Sequence, residues 1–215
     1  MTVDLSTGRV LVRCLKDSSG LNQTNLVIPV GKPVQAYLRV ISTVEGKLDP
    51  VDLSLLSDWR NKYVKSFLTE FHSYPERTAK WLTNYVHQSD GKILFMLENL
   101  DGVRLGHIGL AFINWETGYG EADAIVSGGD SPRGLMKLAL QTTLKWARNQ
   151  LSLTTLGVRV RSDNTALDFY KKVGFEETKR VPLRFEKNGD DINWFEDENF
   201  LAFEASLVYM IYRWS

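Results

Sequence analysis

A glycine-rich loop that precedes a long helix is the first feature of this sequence that could do chemistry. The loop reads Ser-Gly-Gly-Asp-Ser-Pro-Arg-Gly over residues 127–134. The first turn of a helix leaves backbone N–H groups unpaired at the positive end of the helix dipole, which suits an anionic phosphate. Gly128 and Gly129 allow positive φ, Gly134 lets a ligand approach the backbone, and Arg133 adds a guanidinium. The loop therefore predicts a phosphate site, with an ordinary strand-to-helix turn as the alternative.

Other kinds of site find no support in the residue pattern. Lys137 stands at the wrong spacing for a Gly-x-x-x-x-Gly-Lys-Ser/Thr loop, and no Gly-x-Gly-x-x-Gly occurs. The three histidines, His72, His87 and His107, show no metal-ligand spacing, and a single cysteine excludes an internal disulfide. Lys plus Arg and Asp plus Glu number 26 each, so no net field attracts nucleic acid. The longest apolar run, residues 207–212, is too short to span a membrane, so we expect a soluble, cytoplasmic protein.

The elements that precede the loop begin with strands. Short strands over residues 8–15 and 25–30 would make residues 1–34 a β-rich N-terminal segment. A strand over residues 36–43 then opens the main domain, which is expected to cover residues 35–215.

Two helices and a hairpin are predicted next. Asp49-Pro50 is followed by apolar residues at helical spacing, which predicts a helix to about Arg60. The Ser-Tyr-Pro-Glu of residues 73–76 resembles a capping box led by its serine and starts a second helix. The apolar stretches 93–98 and 107–114, joined through an Asp-Gly turn, predict a β-hairpin.

Strands and helices alternate in the rest of the chain. The predicted elements are a strand at 121–126, a helix at 135–150, a strand at 155–160, a helix at 164–173 ended by Gly174, and a strand at 206–214. Residues 183–204 are mostly polar and are predicted to be loop. This order predicts a mixed α/β (α+β) sheet rather than a doubly wound one.

Residues 164–175 carry a family resemblance. They read Asn-Thr-Ala-Leu-Asp-Phe-Tyr-Lys-Lys-Val-Gly-Phe, which resembles the Asn…Ala…Tyr-x-x-x-Gly-Phe signature of the GNAT superfamily of N-acetyltransferases. The order of elements from about residue 36 agrees with that family. The resemblance implies a GNAT-like, mostly antiparallel central sheet flanked by helices, with residues 1–34 as an N-terminal β-rich extension. It also implies acetyl-CoA as the cofactor and CoA as a product.

The resemblance places acetyl-CoA in a cleft between the strands at 121–126 and 155–160. The residues implied at the cofactor are Ile125, Val126, Ser127, Arg133, Gly134, Leu135, Met136 and Asn164. Met136 stands where the family has its second glycine, and Ser131 where it has Gln or Arg. Asp163 occupies the usual place of the family's Asn, with Asn164 one position later. Because backbone amides hold a pyrophosphate, the loop could still serve.

Acid and base roles follow from the same resemblance. An amine that attacks a thioester must lose a proton, and the departing thiolate needs a donor. Tyr170 matches the family's general acid, with packing beneath the sheet as the alternative. Glu121 matches a position where a carboxylate often serves as base, and the alternative is a solvated charge. Other base candidates are His107, Glu116, Asp123 and His72.

The amine acceptor is read from the first helix. Trp59, Arg60 and Asn61 resemble a stretch in members that acetylate nucleotide-linked amino sugars, and in members acting on protein N-termini or small amines. They would form the substrate site, with Phe71 or Trp59 as an apolar wall and the stretch near Trp194 closing the other side. A core tryptophan and a surface ion pair are the alternative reading.

These residues predict an acetyl-CoA-dependent N-acetyltransferase acting on a small-molecule amine. A nucleotide-linked amino sugar is one candidate for that amine. Three other functions stay open: a non-catalytic CoA-binding sensor, an interaction protein that pairs through its N-terminal strand edges, and a protein N-terminal acetyltransferase. The expected partner is the small-molecule amine, with a homo-oligomer as an open alternative and no nucleic acid, membrane or metal.

Overall fold

In the computed structural model, which describes residues 5–20, 26–128, 131–201 and 204–214, ten strands form one mixed sheet. The strands are β1 Val27–Val30, β2 Ala36–Val40, β3 Thr69–Glu70, β4 Ile93–Asn99, β5 Arg104–Asn114, β6 Tyr119–Ser127, β7 Thr155–Arg161, β8 Phe175–Asn188, β9 Asp191–Glu196 and β10 Ala205–Tyr212. Their order across the sheet is β1-β2-β4-β5-β6-β7-β10-β8-β9-β3, and β6 with β7 is the one parallel pair among these strands. The predicted mixed, mostly antiparallel sheet is confirmed.

Helices cover both faces of this sheet. They are α1 Leu5–Ser18, α2 Pro50–Lys62, α3 Pro75–Trp81, α4 Leu135–Gln150 and α5 Ala166–Val173. Strand β4 separates two cores, because successive side chains of a strand point to opposite faces. Ile93, Phe95 and Leu97 enter the larger core with α1, α4 and α5, whereas Leu94 and Met96 enter a smaller core with α2.

The N-terminal segment differs from the prediction. Residues 8–15 belong to α1 and are helical, so the predicted strand there is wrong. Gly8, Val12 and Leu15 are buried at helical spacing, so this face of the segment packs on the core as a helix. The second predicted strand is confirmed as β1, and its expected start at Asn25 lies outside the described residues.

A buried lysine fastens α1 to the rest of the fold. The Lys16 ammonium donates to the carbonyl oxygens of Val86, His87 and Ser89 at 3.0, 2.9 and 2.5 Å. These carbonyls belong to the end of the second predicted helix, where carbonyl groups lack partners within the helix. Lys16 therefore completes the hydrogen bonding of that helix end.

The second predicted helix is confirmed as α3, but its expected cap is wrong. Tyr74 is the residue that precedes the first turn, and it makes no side-chain cap bond. The Ser73 hydroxyl instead lies 3.0 Å from that of Thr78, which in turn lies 2.7 Å from the hydroxyl of Ser57 in α2. Ser73 is thereby buried between two helices. After α3 the chain continues through one turn with i to i+5 bonding, residues 82–86.

The polar stretch at 183–204 is largely not loop. Strand β8 runs to Asn188 and pairs with β9 in a hairpin that turns at Gly189, whose φ is +63°. Most side chains of this hairpin are exposed on both faces, so the apolar alternation that marks a half-buried strand is missing from the sequence. The elements at 93–114, 121–126, 135–150, 155–160, 164–173 and 206–214 are confirmed within a few residues.

Candidate active site

The parallel strands β6 and β7 part from each other after a short pairing. They pair over Tyr119–Glu121 and Thr155–Gly157 and then diverge. Residues 122–127 and 158–161 border the gap, a cavity of about 460 Å³ that we call the strand cleft. The predicted cleft between these two strands is therefore present.

A β-bulge accompanies the divergence. On the other side of β6, Val126 pairs with His107 and Asp123 pairs with Gly109, so Ala124 and Ile125 together lie opposite one residue of β5. Ala124 has a φ of +49°, which is unusual for a residue with a Cβ. A bulge bends its strand and increases the local twist. This bend directs the second half of β6 away from β7.

Tyr170 of α5 borders the strand cleft and also packs in the larger core. Its ring is 7% exposed and makes edge contacts with Phe169 and Phe175 at 5.5 and 5.9 Å between centroids. Burial, together with the nearby carboxylate of Asp123, raises the pKa of the Tyr170 phenol well above its ordinary value. The phenol thus keeps its proton at neutral pH and can donate it into the cleft.

Glu121 borders the same cleft and is not a solvated charge. Its side chain is buried at the point where β6 and β7 part. The Tyr119 hydroxyl donates to its Oε1 at 2.8 Å, and Arg159 Nε donates to its Oε2 at 2.7 Å. The Arg159 guanidinium also lies 4.2 Å from the ring centre of Phe112. These contacts fix the orientation of the Glu121 carboxylate.

Asp123 and His107 lie near the bulge. The Asp123 carboxylate accepts from Lys92 Nζ at 2.7 Å. The His107 ring stacks on Trp59, and its Nδ1 is buried without a hydrogen-bond partner in the described part of the chain. Burial lowers the pKa of His107 to about 4, although a backbone hydrogen bond with Ala124 opposes the shift. The ring is therefore neutral at pH 7. The other base candidates, Glu116 and His72, are exposed and do not border the strand cleft.

The start of α4 has the backbone geometry of an anion site. Gly134 precedes the helix with a φ of +87°, in the left-handed region that favours glycine.

The next two side chains point into the protein. Leu135 is 2% exposed and belongs to the core. A Cβ added to Gly106 would lie 2.9 Å from Met136 Cε, so the Met136 side chain packs against β5. Met136, which stands where the family has its second glycine, therefore points its side chain away from the first turn.

The loop before α4 is built on an aromatic ring. Gly128 does not have a positive φ. A glycine is required at this position because a Cβ would lie 2.0 Å from the ring of Trp59. Ser131 Oγ is buried with no hydrogen-bond partner among the described residues, and Arg133 is exposed. Gly129 lies outside the described residues. An unpaired buried hydroxyl beside a helix N-terminus is available to a bound ligand.

Four of the predicted cofactor residues border the strand cleft: Ile125, Val126, Ser127 and Asn164. The Asn164 amide holds the start of α5, because its Oδ1 accepts from the Ala166 N–H at 2.9 Å and its Nδ2 donates to the Ser66 carbonyl at 3.3 Å. The Asp163 carboxylate is paired with Arg161 at 2.7 Å. Arg133, Gly134, Leu135 and Met136 do not border the cleft.

The three residues predicted to bind substrate point in three directions. Trp59 is 5% exposed, packs under Gly128 and does not border the strand cleft. The Asn61 amide makes two hydrogen bonds to the backbone of Ser73, at 2.7 and 2.8 Å, and also does not border that cleft. Both side chains therefore make structural contacts within the fold. Arg60 faces the cavities.

A second cavity of about 650 Å³, which we call the side cavity, lies beside α2, α3 and β9. Phe71 and Trp81 supply aromatic walls, and Asp191 and Asn193 line it from β9, close to Trp194. The residues that border both cavities are Arg60, Phe67, Thr69, Asp123 and Ala124. The two cavities therefore meet near the bulge.

Comparison with known proteins identifies the family. The model of the acetyltransferase (GNAT) domain matches residues 38–176 of this chain. The chain belongs to the GNAT acetyltransferases. GNAT acetyltransferases transfer an acetyl group from acetyl-CoA, and this chain is accordingly an acetyl-CoA-dependent N-acetyltransferase. The predicted family, fold and cofactor are confirmed.

Solved structures agree with the fold at low sequence identity. Spermidine N-acetyltransferase from Vibrio cholerae, in complex with CoA and spermine, has a TM-score of 0.63 at 18% identity and covers 82% of this chain and 94% of its own. A chimera of the Vibrio cholerae enzyme with hSSAT has a TM-score of 0.62 at 18% identity, with 83% and 95% covered. No curated protein sequence matches the chain significantly.

The residues present fit acetyl-CoA. Beyond Glu121 the edge of β6 that faces β7 has no strand partner, which leaves a backbone edge for a pantetheine arm. The start of α4 suits the pyrophosphate, with its left-handed Gly134 and a Ser131 hydroxyl that has no partner among the described residues. Among the described residues no helix is long and apolar enough to cross a membrane, and no His, Cys, Asp and Glu cluster could hold a metal ion.

Sequence reasoning missed Arg159 and Phe67. Arg159 lies two residues beyond Gly157, the partner of Glu121, so strand alternation places it on the carboxylate's side of the sheet. The alternating Arg-Val-Arg at 159–161 was a usable signal. Phe67 follows a short turn after α2 and has no periodicity that would identify it.

Proposed function

We propose that this enzyme acetylates the primary amine of a small molecule by direct transfer, with Tyr170 as general acid and Glu121 as general base. The observation that carries the proposal is a buried, protonated phenol that borders the cleft of β6 and β7, which the Glu121 carboxylate also borders. In this proposal, residues 35–215 form the acetyltransferase domain and residues 1–34 an N-terminal extension.

Each residue has one role in the reaction. Acetyl-CoA, when bound, supplies an acetyl thioester. Tyr170 Oη donates its proton to the departing sulfur. Glu121 receives the amine proton directly or through a water, because each of its oxygens accepts one bond, from Tyr119 or Arg159, and keeps a further lone pair. Arg159 holds the carboxylate in place during this transfer.

The acceptor enters from the side cavity in this proposal. The substrates of two groups of proteins form the first panel of amines to test. The similar Vibrio cholerae enzyme is a spermidine N-acetyltransferase, and the Trp-Arg-Asn of residues 59–61 resembles members that use nucleotide-linked amino sugars. Peptides with free N-termini complete the panel.

The test measures thiol release from acetyl-CoA over this panel, together with calorimetry of CoA binding. Replacement of Tyr170→Phe removes the donor while the ring stays, so we expect kcat to fall by roughly 100-fold or more with CoA affinity unchanged. Tyr212→Phe is the matched control, since Tyr212 is a buried phenol that borders neither cavity. CoA binding without thiol release on any amine would indicate a non-catalytic sensor.

The base is tested by two isosteric changes on one strand face. We expect Glu121→Gln to lower kcat by roughly 100-fold or more, because the amide cannot take a proton. Asp123→Asn changes the neighbouring carboxylate, which is paired with Lys92, and should lower kcat far less. A larger loss in the Asp123 variant would transfer the base role to Asp123.

A further inference from the structure

The side cavity carries more positive than negative charge. Its charged residues are Arg60, Arg77, Lys80 and Lys92 against Asp123 and Asp191. Lys92 Nζ lies 2.7 Å from Asp123, and Arg77 Nη2 lies 3.3 Å from Asp191, so each carboxylate already has a cationic partner. Within the described residues, Arg60 and Lys80 have no carboxylate at salt-bridge distance. The cavity therefore holds a surplus of cations.

Arg60 is held rigidly by aromatic rings. Its guanidinium carbon lies 3.7 Å from the ring centre of Phe67 and 4.4 Å from that of Phe71. The guanidinium carbon of Arg77 lies 3.7 Å from the same Phe71 ring centre. Arg60 Nη2 donates to the carbonyl and the hydroxyl of Thr69, the latter at 2.9 Å. These contacts fix the guanidinium plane before any ligand arrives.

One donor of the Arg60 guanidinium is left without a hydrogen-bond partner in the described part of the chain. This donor is Nε, which is buried. A buried donor without a partner is uncommon and costs stability, which is tolerated at sites that bind a ligand. Burial and the neighbouring Arg77 lower the pKa of Arg60 to about 10, so the group stays charged at neutral pH. A preorganised, charged and under-bonded guanidinium is a receptor for an oxyanion.

We propose that the amine acceptor carries a carboxylate or phosphate group, which Arg60 binds with Arg77 nearby; this rests on the acetyltransferase function proposed above. A polyamine would instead bring further positive charge into a cavity that already has a surplus of it. The surplus of cations lies on the acceptor's side, because Arg77 and Lys80 border the side cavity and not the strand cleft, whereas Arg60 borders both cavities. We therefore place the anionic group on the acceptor.

Matched acceptor pairs test this proposal. Each pair differs only in the anion: an amino sugar and its phosphate, an amino acid and its amide, with spermidine as the cationic reference. Calorimetry with CoA present measures acceptor binding, and thiol release measures kcat/KM. We expect the anionic member to bind and react about 10- to 100-fold better in at least one pair. The pair that discriminates tells whether the anion is a phosphate or a carboxylate.

Variants of Arg60 assign the effect to this residue. Arg60→Gln should remove the preference for the anionic member, and Arg60→Lys, which keeps the charge, should restore part of it. Arg148→Gln is the control, because Arg148 also stacks on an aromatic ring, that of Trp214, and borders neither cavity. The proposal is overturned if neutral amines or spermidine bind as well as the anions, or if Arg60→Gln raises KM for acetyl-CoA instead. Selective binding of anions without any thiol release would uphold this inference and reject the proposed function.

Discussion

Acid sensitivity of folding tests the environment assigned to His107. Burial lowers the pKa of this ring to about 4 in the folded protein, against 6.5 for an ordinary histidine. As pH falls below 6.5, His107 binds a proton in the unfolded chain but stays neutral in the folded protein. The free energy of unfolding therefore decreases until about pH 4, where the folded protein also binds the proton. Between pH 7 and pH 5 this linkage amounts to about 2 kcal/mol, from roughly 1.4 kcal/mol per pKa unit.

The perturbation is His107→Gln, which keeps a polar side chain but removes the titrating group. Urea unfolding at pH 7 and at pH 5 gives the loss of stability for each protein, provided that the urea dependence is unchanged. All other ionisable groups are shared, so we expect the variant to lose about 2 kcal/mol less than the parent. The change in packing against Trp59 alters the free energy of unfolding by the same amount at both pH values, so it cancels in this difference.

His72→Gln is the control, since His72 is exposed and its replacement should leave the pH effect as in the parent. An equal loss of stability in the parent and in His107→Gln would show that His107 becomes protonated freely in the folded state. The buried, neutral ring inferred beside the bulge would then be wrong.

Two further changes test how the fold positions the site. Lys16→Met should lower the free energy of unfolding by about 2 kcal/mol or more, because three carbonyl oxygens lose their donor. Urea unfolding measures this loss. Lys47→Met is the control, since Lys47 is exposed and its replacement should change stability little. Gly128→Ala should destabilise by about 1–3 kcal/mol and weaken CoA binding, because the added Cβ meets the Trp59 ring; unchanged thermal unfolding and CoA calorimetry would contradict that packing.

Local signals in the sequence were sufficient for much of the fold. The helix at 135–150 begins after a glycine and has apolar residues at helical spacing, so its bounds follow from the sequence and match α4. The hairpin of β4 and β5 follows from two apolar stretches and an Asp-Gly turn, where Gly102 has a φ of +79°. The motif at 164–175 predicted both α5 and the family.

Elements whose pattern depends on distant contacts were predicted poorly. Most side chains of the β8–β9 hairpin are exposed, and its pairing with β10 and β3 is not visible in local periodicity. Residues 8–15 were predicted as a strand, yet the buried positions of α1 follow the helical period because α1 packs on the larger core. The bulge at Ala124, which opens the strand cleft, leaves no mark in the sequence.

The sequence by itself determined the family, the cofactor and the residue types available for catalysis through the resemblance of residues 164–175 to the GNAT signature. A signature of this kind is a run of neighbouring residues, so it can be recognised without the fold. The tertiary structure decided which side chains meet. Trp59, Arg60 and Asn61 are consecutive in α2, and neighbours in a helix are rotated by about 100° from one another. One therefore packs in the core, one faces the cavities and one holds a loop. Only the packing of α2 against the sheet determines that Arg60 is the one that faces the cavities.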